Sequence, residues 1–426
     1  MQSHSVMLPL HLYMSSRQRY YFILILILGA LATISPFSID MYLPGFPAIA
    51  KDLNTTIDQV QLSLTAYLIG IAIGQLFYGP LLDRFGRKKP LYIGLAIYVV
   101  ASVGCAFTDS ISSLILMRFI QALGGCAGIV AAQALVRDLF PANKTAQAFS
   151  LVILVISVSP MIAPTVGGYV TAAFGWEFVF LVLGAITVLI MIAVYFLLPE
   201  GKRANTSLSL KPSAVMRNFY SVLREPQFLI YAIGGGLATA APFAYIAGSA
   251  DVFMNMYKVS ERQYGWIFAF LAFAMIGATQ LNHILLKKYT SAQIIKITLW
   301  YQSVVGLILV VGTYYEWYTL YSLIGLMFIF LTGQGLSSPN TSALSLAPFS
   351  NNAGSASALM GSWRLGAGGI VSAIVSVLHN GTAIPMVGMM AACVVLSLIL
   401  LHTGNTTIKY RIRKRKRKES ENSVLV

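Results

Sequence analysis

Charged residues are scarce in this sequence of 426 residues, of which only 10% are charged. Soluble domains carry about 25% charged residues, so these charges are too few to cover a water-facing surface of this size. The shortage excludes a soluble enzyme of ordinary composition. The hydrophobic fraction of 57% also excludes a disordered chain.

Residues that bind metals or form disulfides are also few. The three cysteines, Cys105, Cys126 and Cys393, each lie inside an apolar run, and their spacing fits neither a metal site nor a disulfide framework. The five histidines are scattered along the chain. Paired acids, a nucleophile with a matching base and a phosphate-binding loop are all missing from the sequence. We therefore expect no metal, no cofactor and no enzymatic activity.

Long apolar segments, in contrast, are abundant. Twelve of them are separated by short polar breaks, and a helix of about 20 apolar residues crosses a bilayer. Because the backbone in hydrocarbon must satisfy its own hydrogen bonds, runs of this length predict helices. The segments cover residues 20–48, 60–82, 90–108, 111–134, 146–172, 177–198, 227–250, 264–286, 292–313, 317–338, 353–378 and 383–403.

The longest polar interruption, residues 199–226, divides these segments into two sets of six. We predict an all-α polytopic membrane protein with twelve transmembrane helices in two six-helix halves, an arrangement typical of transporters built from repeats. The predicted divisions are an N-terminal tail at 1–19, six-helix bundles at 20–198 and 227–405, a central loop at 199–226 and a basic tail at 406–426.

The distribution of basic residues predicts the orientation. If the N-terminus is cytoplasmic, 24 of the 29 Lys and Arg residues fall on the cytoplasmic side, and only Lys51, Lys258 and Arg262 fall in outer loops. Acidic residues show no such bias. Cytoplasmic loops of membrane proteins are enriched in Lys and Arg, so we expect both termini to be cytoplasmic.

Two features of the cytoplasmic segments have alternative interpretations. Val215, Met216, Phe219, Val222 and Leu223 would share one face of a helix, which indicates either a short helix on the inner membrane surface or a plain linker. The stretch 409–418 carries eight cations in ten residues. It can bind anionic lipid headgroups or simply anchor the topology, and we do not expect it to bind nucleic acid.

Three ionisable residues lie within apolar segments, where each is costly to keep. They are Asp40, Arg118 and Arg364. By uniform helical rise, Asp40 and Arg118 both lie about two-thirds of the way towards the outer side, so they could face each other across a cavity. Alternatively, Asp40 is the outer end of the first helix, and Arg118 extends its long side chain outward.

A carboxyl group inside the membrane can serve as a proton carrier. An apolar surrounding favours its neutral form, and a neighbouring guanidinium favours its charged form. If the guanidinium moves between two conformations, the same acid can bind and release a proton. The isolation of Asp40 in an apolar run motivates this hypothesis.

The loop after the second segment carries the most specific motif, G-x-L-x-D-R-x-G-R-K. Its two glycines permit a tight turn, and its basic residues suit the inner membrane surface. It resembles the signature loop of the major facilitator superfamily in both sequence and position, although a plain topogenic charge cluster is an alternative. The motif residues are Gly79, Asp83, Arg84, Gly86, Arg87 and Lys88.

The fifth segment contains Pro160, Pro164, Gly167 and Gly168. Prolines can kink a helix, and small residues allow close helix packing. This stretch is similar to the antiporter motif of that superfamily's drug:proton exporters. Ordinary helix packing is the alternative.

Further stretches resemble the Bcr/CflA drug:proton antiporter group of the superfamily. They are 38–44, 117–124 and 353–366, and the resemblance covers roughly residues 20–405. It implies a bacterial inner-membrane exporter of small drugs or metabolites that works by alternating access. The implied resistance is of the bicyclomycin, chloramphenicol or sulfonamide type, and the energy source is the proton gradient.

The resemblance also implies roles for individual residues. Asp40 would be the proton-titrating carboxyl group and Arg118 the cation that senses it. The motif loop would form an inner gate in which Arg137 pairs with Asp83. Some relatives carry a second membrane acid upstream of the first, but residues 20–39 contain none here. This difference argues against a two-acid mechanism and against export of dicationic drugs.

The cargo site has no motif, and an apolar cavity with a few polar and aromatic groups is the expected form. Arg364 could bind a carbonyl or anionic group of the cargo, or it could be a hydrogen-bonded structural residue. We expect a monomer whose partners are the cargo, protons and membrane lipids. The other cavity candidates are Tyr42, Tyr67, Gln121, Tyr245, Gln334 and Asn340.

Two other functions remain open on the sequence. One is a facilitator or symporter for a dedicated metabolite. The other, a membrane enzyme or receptor, is opposed by the missing catalytic residues.

Overall fold

The computed structural model describes residues 16–202, 204, 212–349 and 353–423, and the secondary structure in this part of the chain is helical. The helices are α1 (Ser16–Asp40), α2 (Phe46–Asp52), α3 (Ile57–Phe85), α4 (Lys88–Ala106), α5 (Ile111–Leu139), α6 (Ala142–Phe174), α7 (Glu177–Leu197), α8 (Pro212–Leu223), α9 (Pro226–Ala250), α10 (Glu261–Leu285), α11 (Ser291–Tyr314), α12 (Leu320–Leu346), α13 (Ala353–Val377) and α14 (Ile384–Ser423).

Among the described residues, twelve helices are long and apolar enough to cross a membrane, one for each predicted segment. The first of them continues through α2 to Asp52, and α8 is not among them. Large apolar side chains such as Val100, Leu189 and Phe196 are 65–74% exposed within these helices. An exposed apolar surface of this kind is suited to lipid rather than water. The predicted all-α polytopic fold is therefore confirmed.

The first predicted segment, 20–48, is not one continuous helix. α1 ends at Asp40, a 3₁₀ turn follows at Leu43–Gly45, and α2 begins at Phe46. Pro44 and Pro47 lie at the first turns of the two short elements. Proline has no N–H to continue a helix but fits its first turn, which explains the interruption.

The helices form two groups of six with α8 between them. α1 and α3–α7 pack with one another, as do α9–α14. The groups meet mainly where α3 packs on α13 and where α6 packs on α10, and we call these two contacts the seam. Successive spanning helices alternate in direction. We name the end of the bundle at the α3–α4 connection, residues 85–88, the basic end, and the end at the α6–α7 connection, residues 174–177, the opposite end.

The predicted short helix in the central loop is present as α8. Val222 is buried against Phe228, Ala232 and Ala356, whereas Met216 is 63% exposed, so one side of α8 packs on the second half. Residues 1–15 of the predicted N-terminal tail lie outside the described residues. The same applies to residues 203 and 205–211 of the central loop. The basic tail continues α14 to Ser423, but its side chains from 405 onward also lie outside the described part.

Candidate functional site

A cavity of about 880 Å³ lies between the two halves and extends to the basic end. Asp83, Arg137 and Asn218 belong to its wall near that end. Deeper in the bundle its wall is formed by polar side chains such as Gln75 and Gln334 and by apolar ones such as Phe243. A volume of this size suits a drug-sized molecule.

The two halves are in contact at the opposite end. Across the α3–α13 part of the seam, Thr65 Oγ1 donates a hydrogen bond to Ser372 Oγ at 3.0 Å. The Ser376 hydroxyl donates another to the Asp58 carbonyl oxygen at 2.5 Å. Across the α6–α10 part, Thr165 Oγ1 donates to the Gly265 carbonyl oxygen at 3.2 Å. The cavity is therefore accessible from the basic end and closed at the opposite end.

The glycines of the fifth segment make this closure possible. A Cβ on Gly167 would collide with the carbonyl oxygen of Met41, and a Cβ on Gly168 would collide with that of Glu261 at the start of α10. Pro160 and Pro164 lie inside α6. The sequence predicted close helix packing at these glycines. The structure places one contact beside Asp40 and the other on the opposite half.

Asp40 is the last residue of α1 and is 4% exposed. It interacts electrostatically with the phenol groups of Tyr245 on α9 and Tyr264 on α10. Among the described residues, no cation lies within ion-pairing distance of its carboxyl group. The residue is thus both a helix end and a buried acid, because the chain after it and the second half of the bundle enclose it.

Arg118 is completely buried and does not contact the Asp40 carboxyl group. Its Nη2 donates to the Ser38 carbonyl oxygen at 2.8 Å, and its Nη1 donates to Gln121 Oε1 at 2.6 Å. The rings of Tyr42 and Tyr67 each lie 4.1 Å from its Cζ. Cation–π contacts and a carbonyl therefore stabilise the charge. The predicted pairing of an acid and a base across a cavity is wrong for this conformation.

The motif loop at the basic end forms a compact ion network within the first half. Arg87 Nη1 donates to Asp83 Oδ1 at 2.6 Å, and Arg87 Nε donates to Asp138 Oδ2 at 2.7 Å. Asp138 also accepts a hydrogen bond from the Lys202 backbone N–H at 3.0 Å. The network joins the end of α3, the end of α5 and the chain that follows α7.

The cation that pairs with Asp83 is therefore Arg87, and the prediction that Arg137 pairs with it is wrong. Arg137 instead lies over the Phe149 ring, with 5.9 Å between its Cζ and the ring centroid. Burial by itself would lower the pKa of the Arg87 guanidinium, but its hydrogen bonds with Asp138 and Asp83 raise that pKa above its ordinary value. Arg87 thus stays charged at all accessible pH values.

The remaining motif residues have simpler surroundings. Gly86 has φ +85°, a conformation that side chains with a Cβ rarely adopt. A Cβ on Gly79 would meet nothing within 4 Å. Arg84 lies 5.7 Å from the Phe85 ring centroid, and Lys88 approaches Glu200 at 3.9 Å.

Two of the seven cavity candidates, Gln334 and Arg364, line the cavity. The cavity-lining prediction is wrong for the other five, because each makes contacts elsewhere. Tyr42, Tyr67 and Gln121 surround Arg118. Tyr245 is buried beside Asp40 and Phe268, and Asn340 donates to Asn282 Oδ1 at 2.6 Å.

Arg364 projects from α13 and is held by two hydroxyl groups of α12. Its Nη2 donates to Ser338 Oγ at 2.6 Å and its Nη1 to Ser342 Oγ at 3.2 Å. Both predicted alternatives, a structural Arg and a cargo-binding Arg, are compatible with this position, since the residue is hydrogen-bonded and also lines the cavity.

The sequence interpretation missed Gln75, Gln133 and Thr239 as cavity residues, and Ser38 as the acceptor for Arg118. The two glutamines had a detectable signal, because each is an uncharged polar residue within a predicted apolar segment. Ser38 gave no such signal, since Arg118 binds its backbone carbonyl oxygen, which every residue has.

Comparison with known proteins agrees with this architecture. The family model described as Major Facilitator Superfamily matches residues 28–373. A bicyclomycin resistance protein homolog of Haemophilus influenzae is 32% identical to this chain, with 90% of this chain and 96% of that protein covered. A chloramphenicol resistance protein of Pseudomonas aeruginosa is 29% identical, with 88% of each covered.

The similarity also extends to solved structures. The crystal structure of a D-xylose-proton symporter superposes with a TM-score of 0.71 at 16% identity, covering 90% of this chain and 97% of that one. At this identity the likeness concerns the fold alone. Together the fold and the cavity between two six-helix halves define a membrane transporter. The chain belongs to the major facilitator superfamily and is a multi-pass inner-membrane protein.

Proposed function

We propose that this transporter exports small drugs or metabolites in exchange for protons by alternating access. In this proposal the basic end and both termini are cytoplasmic, which the excess of Lys and Arg on that side supports. The cavity would then be open to the cytoplasm. The names of the relatives, which refer to bicyclomycin and chloramphenicol resistance, support an apolar or moderately polar antibiotic-like cargo.

The observation that carries the proposal is the position of Asp40. Its carboxyl group lies at the opposite end, where the seam is closed. It is near enough to the phenol groups of Tyr245 and Tyr264, both in the second half, to interact with them electrostatically. A buried carboxyl group without a cation is costly to ionise, and a helix C-terminus further disfavours a negative charge. The closed seam would therefore favour a protonated Asp40 until cargo binding displaces the proton to the basic end, and an open seam would let the carboxylate take up a proton from the outer side.

Arg118 is positioned to link this titration to helix movement. It binds the α1 backbone two residues before Asp40 and reaches α4 through Gln121, whose Nε2 donates to Ser102 Oγ at 2.7 Å. When Asp40 loses its proton, the Arg118 guanidinium, already bound to the last turn of α1, can compensate the new charge. A shift of Arg118 from the Ser38 carbonyl to the carboxylate would favour the alternative conformation.

The cycle follows from these contacts. Cargo enters the cavity from the basic end while the seam is closed at the opposite end, and its binding would release the Asp40 proton to the basic side. Opening of the seam contacts at Thr65, Thr165 and Gly168 would expose cargo and Asp40 to the outer side. After the cargo has left, a proton from the outer side would bind to Asp40 and favour renewed closure. Each cycle would thus export cargo and move a proton inward down its gradient.

The test uses purified protein in liposomes with an imposed pH gradient. Bicyclomycin or chloramphenicol is added, and proton movement is followed with an internal pH dye. We expect drug-evoked proton flux with the wild type and no flux above protein-free liposomes with Asp40→Asn. Asp109→Asn removes an exposed acid at the opposite end and should retain the wild-type flux.

The other outcomes are equally informative. Drug transport without proton movement would overturn the antiport proposal and favour the uncoupled facilitator. Drug-evoked proton uptake in the same direction as cargo would favour a symporter. Coupled flux that persists in Asp40→Asn would remove Asp40 from the proton pathway.

A further inference from the structure

Arg364 is a cation in the cavity wall without a matching anion. Among the described residues, no carboxylate lies within ion-pairing distance of its guanidinium, and its two side-chain acceptors are the neutral hydroxyls of Ser338 and Ser342. An Arg side chain keeps its charge in proteins. An uncompensated charge within a membrane-spanning bundle is costly and usually marks a functional site.

The other charges of the cavity cannot compensate it. Asp83 and Asp138 are both bound to Arg87 at the basic end. Arg137, which lies in the same part of the wall, adds a further positive charge. Asp83, Asp138, Arg87 and Arg137 together carry no net charge at the entrance, so the interior keeps an unmatched positive charge at Arg364.

A second group of the cavity lacks a hydrogen-bond partner. Gln334 is 8% exposed, lines the cavity, and has no partner for its Oε1 among the described residues. Gln334, Ser338 and Ser342 are spaced four residues apart on α12, so they occupy one face, and Gln334 lies one turn from the hydroxyl that holds Arg364. A buried acceptor of this kind is costly unless a donor arrives.

From these two groups we infer that the cavity binds a cargo with an oxyanion, best a carboxylate, and a hydrogen-bond donor about one helical turn away. The inference rests on the proposed transport function and adds a preference among its cargoes, since neutral antibiotics can enter the same cavity and molecules with an oxyanion bind more tightly. The planar guanidinium fork matches a carboxylate in two parallel hydrogen bonds. Gln334 Oε1 is covered in this conformation, and it accepts from an N–H or O–H of the same molecule when its amide turns towards the cavity. The apolar wall at Pro242 and Phe243 packs on the remainder.

The Ser338 and Ser342 contacts are consistent with this role. They occupy two of the five N–H donors of the guanidinium, which fixes its orientation and leaves donors for a ligand. A purely structural Arg would also be fixed by these hydroxyls, but it would impose no preference on the charge of the cargo. Charge preference therefore separates the two roles.

The experiment uses two fluorescent probes of nearly equal size. Dansylglycine carries a carboxylate, a sulfonamide N–H and an apolar ring system, and dansylglycinamide replaces the carboxylate with a neutral amide. Binding to the purified full-length protein in detergent is measured by the rise in dansyl fluorescence. We expect the wild type to bind the acid about tenfold more tightly than the amide, because the guanidinium forms a charge-assisted pair with the carboxylate and only a neutral hydrogen bond with the amide.

Three variants identify the residue responsible. In Arg364→Gln the preference for the acid should disappear, and in Arg364→Lys it should be partly retained because the charge remains without the planar fork. Arg224→Gln removes the same charge from the surface near α8, outside the cavity wall, and should keep the full preference. Thermal melting of each variant verifies that it is folded.

Some results would overturn the inference. These are equal binding of acid and amide by the wild type, no binding of dansylglycine up to its solubility limit, or an acid preference that survives in Arg364→Gln. The measurement needs no proton gradient. A failure here with intact drug-evoked proton flux would reject the substrate class alone, and the converse result would reject proton coupling alone.

Discussion

The Nη2 of Arg118 donates a hydrogen bond to the carbonyl oxygen of Ser38 at 2.8 Å, although the two residues are 80 positions apart. The hydroxyl of Ser38 meanwhile lies 2.6 Å from the Tyr98 hydroxyl. The last turn of α1 is thus attached to α5 and α4 immediately before Asp40. Any movement of this turn changes the surroundings of the buried acid and of the buried cation together.

This relationship predicts the effect of Arg118→Lys. An ammonium group keeps the charge, but it lacks the fork that reaches the Ser38 carbonyl and Gln121 Oε1 at once. We expect drug-evoked proton flux in liposomes to fall at least about tenfold, because losing a hydrogen bond of a buried charged group costs about 1.5–3 kcal/mol. The matched change Arg224→Lys, at an exposed position just after α8, should leave the flux unchanged. Wild-type flux in Arg118→Lys would mean that charge alone is sufficient at this position.

The close crossing of α6 and α10 predicts a conformational effect of Gly265→Ala. A Cβ on Gly265 would lie 2.8 Å from the Pro164 carbonyl oxygen and 2.8 Å from Thr165 Cα, so the closed seam becomes strained. Overpacking of this kind costs about 1–3 kcal/mol, which should shift the equilibrium about tenfold towards the conformation with an open seam. The measurement is the alkylation rate of a cysteine introduced as Thr65→Cys in the seam.

Gly277→Ala is the control on the same helix, because a Cβ there meets nothing within 4 Å. It should leave the alkylation rate unchanged. Equal rates for the Gly265→Ala and Gly277→Ala proteins would show that the α6–α10 crossing does not control access to the seam. The three native cysteines are buried, so they should contribute little background.

The ion network at the basic end predicts an order of stability losses. Asp138 is 12% exposed and accepts hydrogen bonds from Arg87 and Lys202, whereas the Asp83 side chain is 51% exposed. We therefore expect Asp138→Asn to lower the thermal midpoint in detergent more than Asp83→Asn does. Arg87→Ala should have the largest effect, with a loss of about 1–3 kcal/mol, because it leaves Asp138 without its cation.

Lys89→Ala provides the control for this series, since Lys89 is an exposed cation in the first turn of α4, beside the same network. Its thermal midpoint should equal that of the wild type. The exposure of Asp83 predicts that water screens its ion pair with Arg87. Equal destabilisation by Asp83→Asn and Asp138→Asn would contradict that prediction.

The number, type and approximate limits of the spanning helices could be predicted from the sequence. Apolar runs of about 20 residues have one stable form in hydrocarbon, and the physical constraint acts on each run separately. Small residues in a helix also indicate close packing without knowledge of the partner, so the tight contacts at Gly167 and Gly168 could be predicted. The first predicted segment ran to residue 48, although α1 ends at Asp40. Pro44 and Pro47 carried the signal for that break.

The partners of the buried charged groups were decided only by the tertiary structure. The sequence identified Asp40, Arg118 and Arg364 as exceptional, because an ionisable residue in an apolar run is conspicuous. It could not show that Arg118 binds the Ser38 carbonyl, that Arg87 rather than Arg137 pairs with Asp83, or that Arg364 and Gln334 share a cavity. Hydrophobic burial constrains which face of a helix turns inward, but the contacts of a particular side chain depend on how distant helices cross.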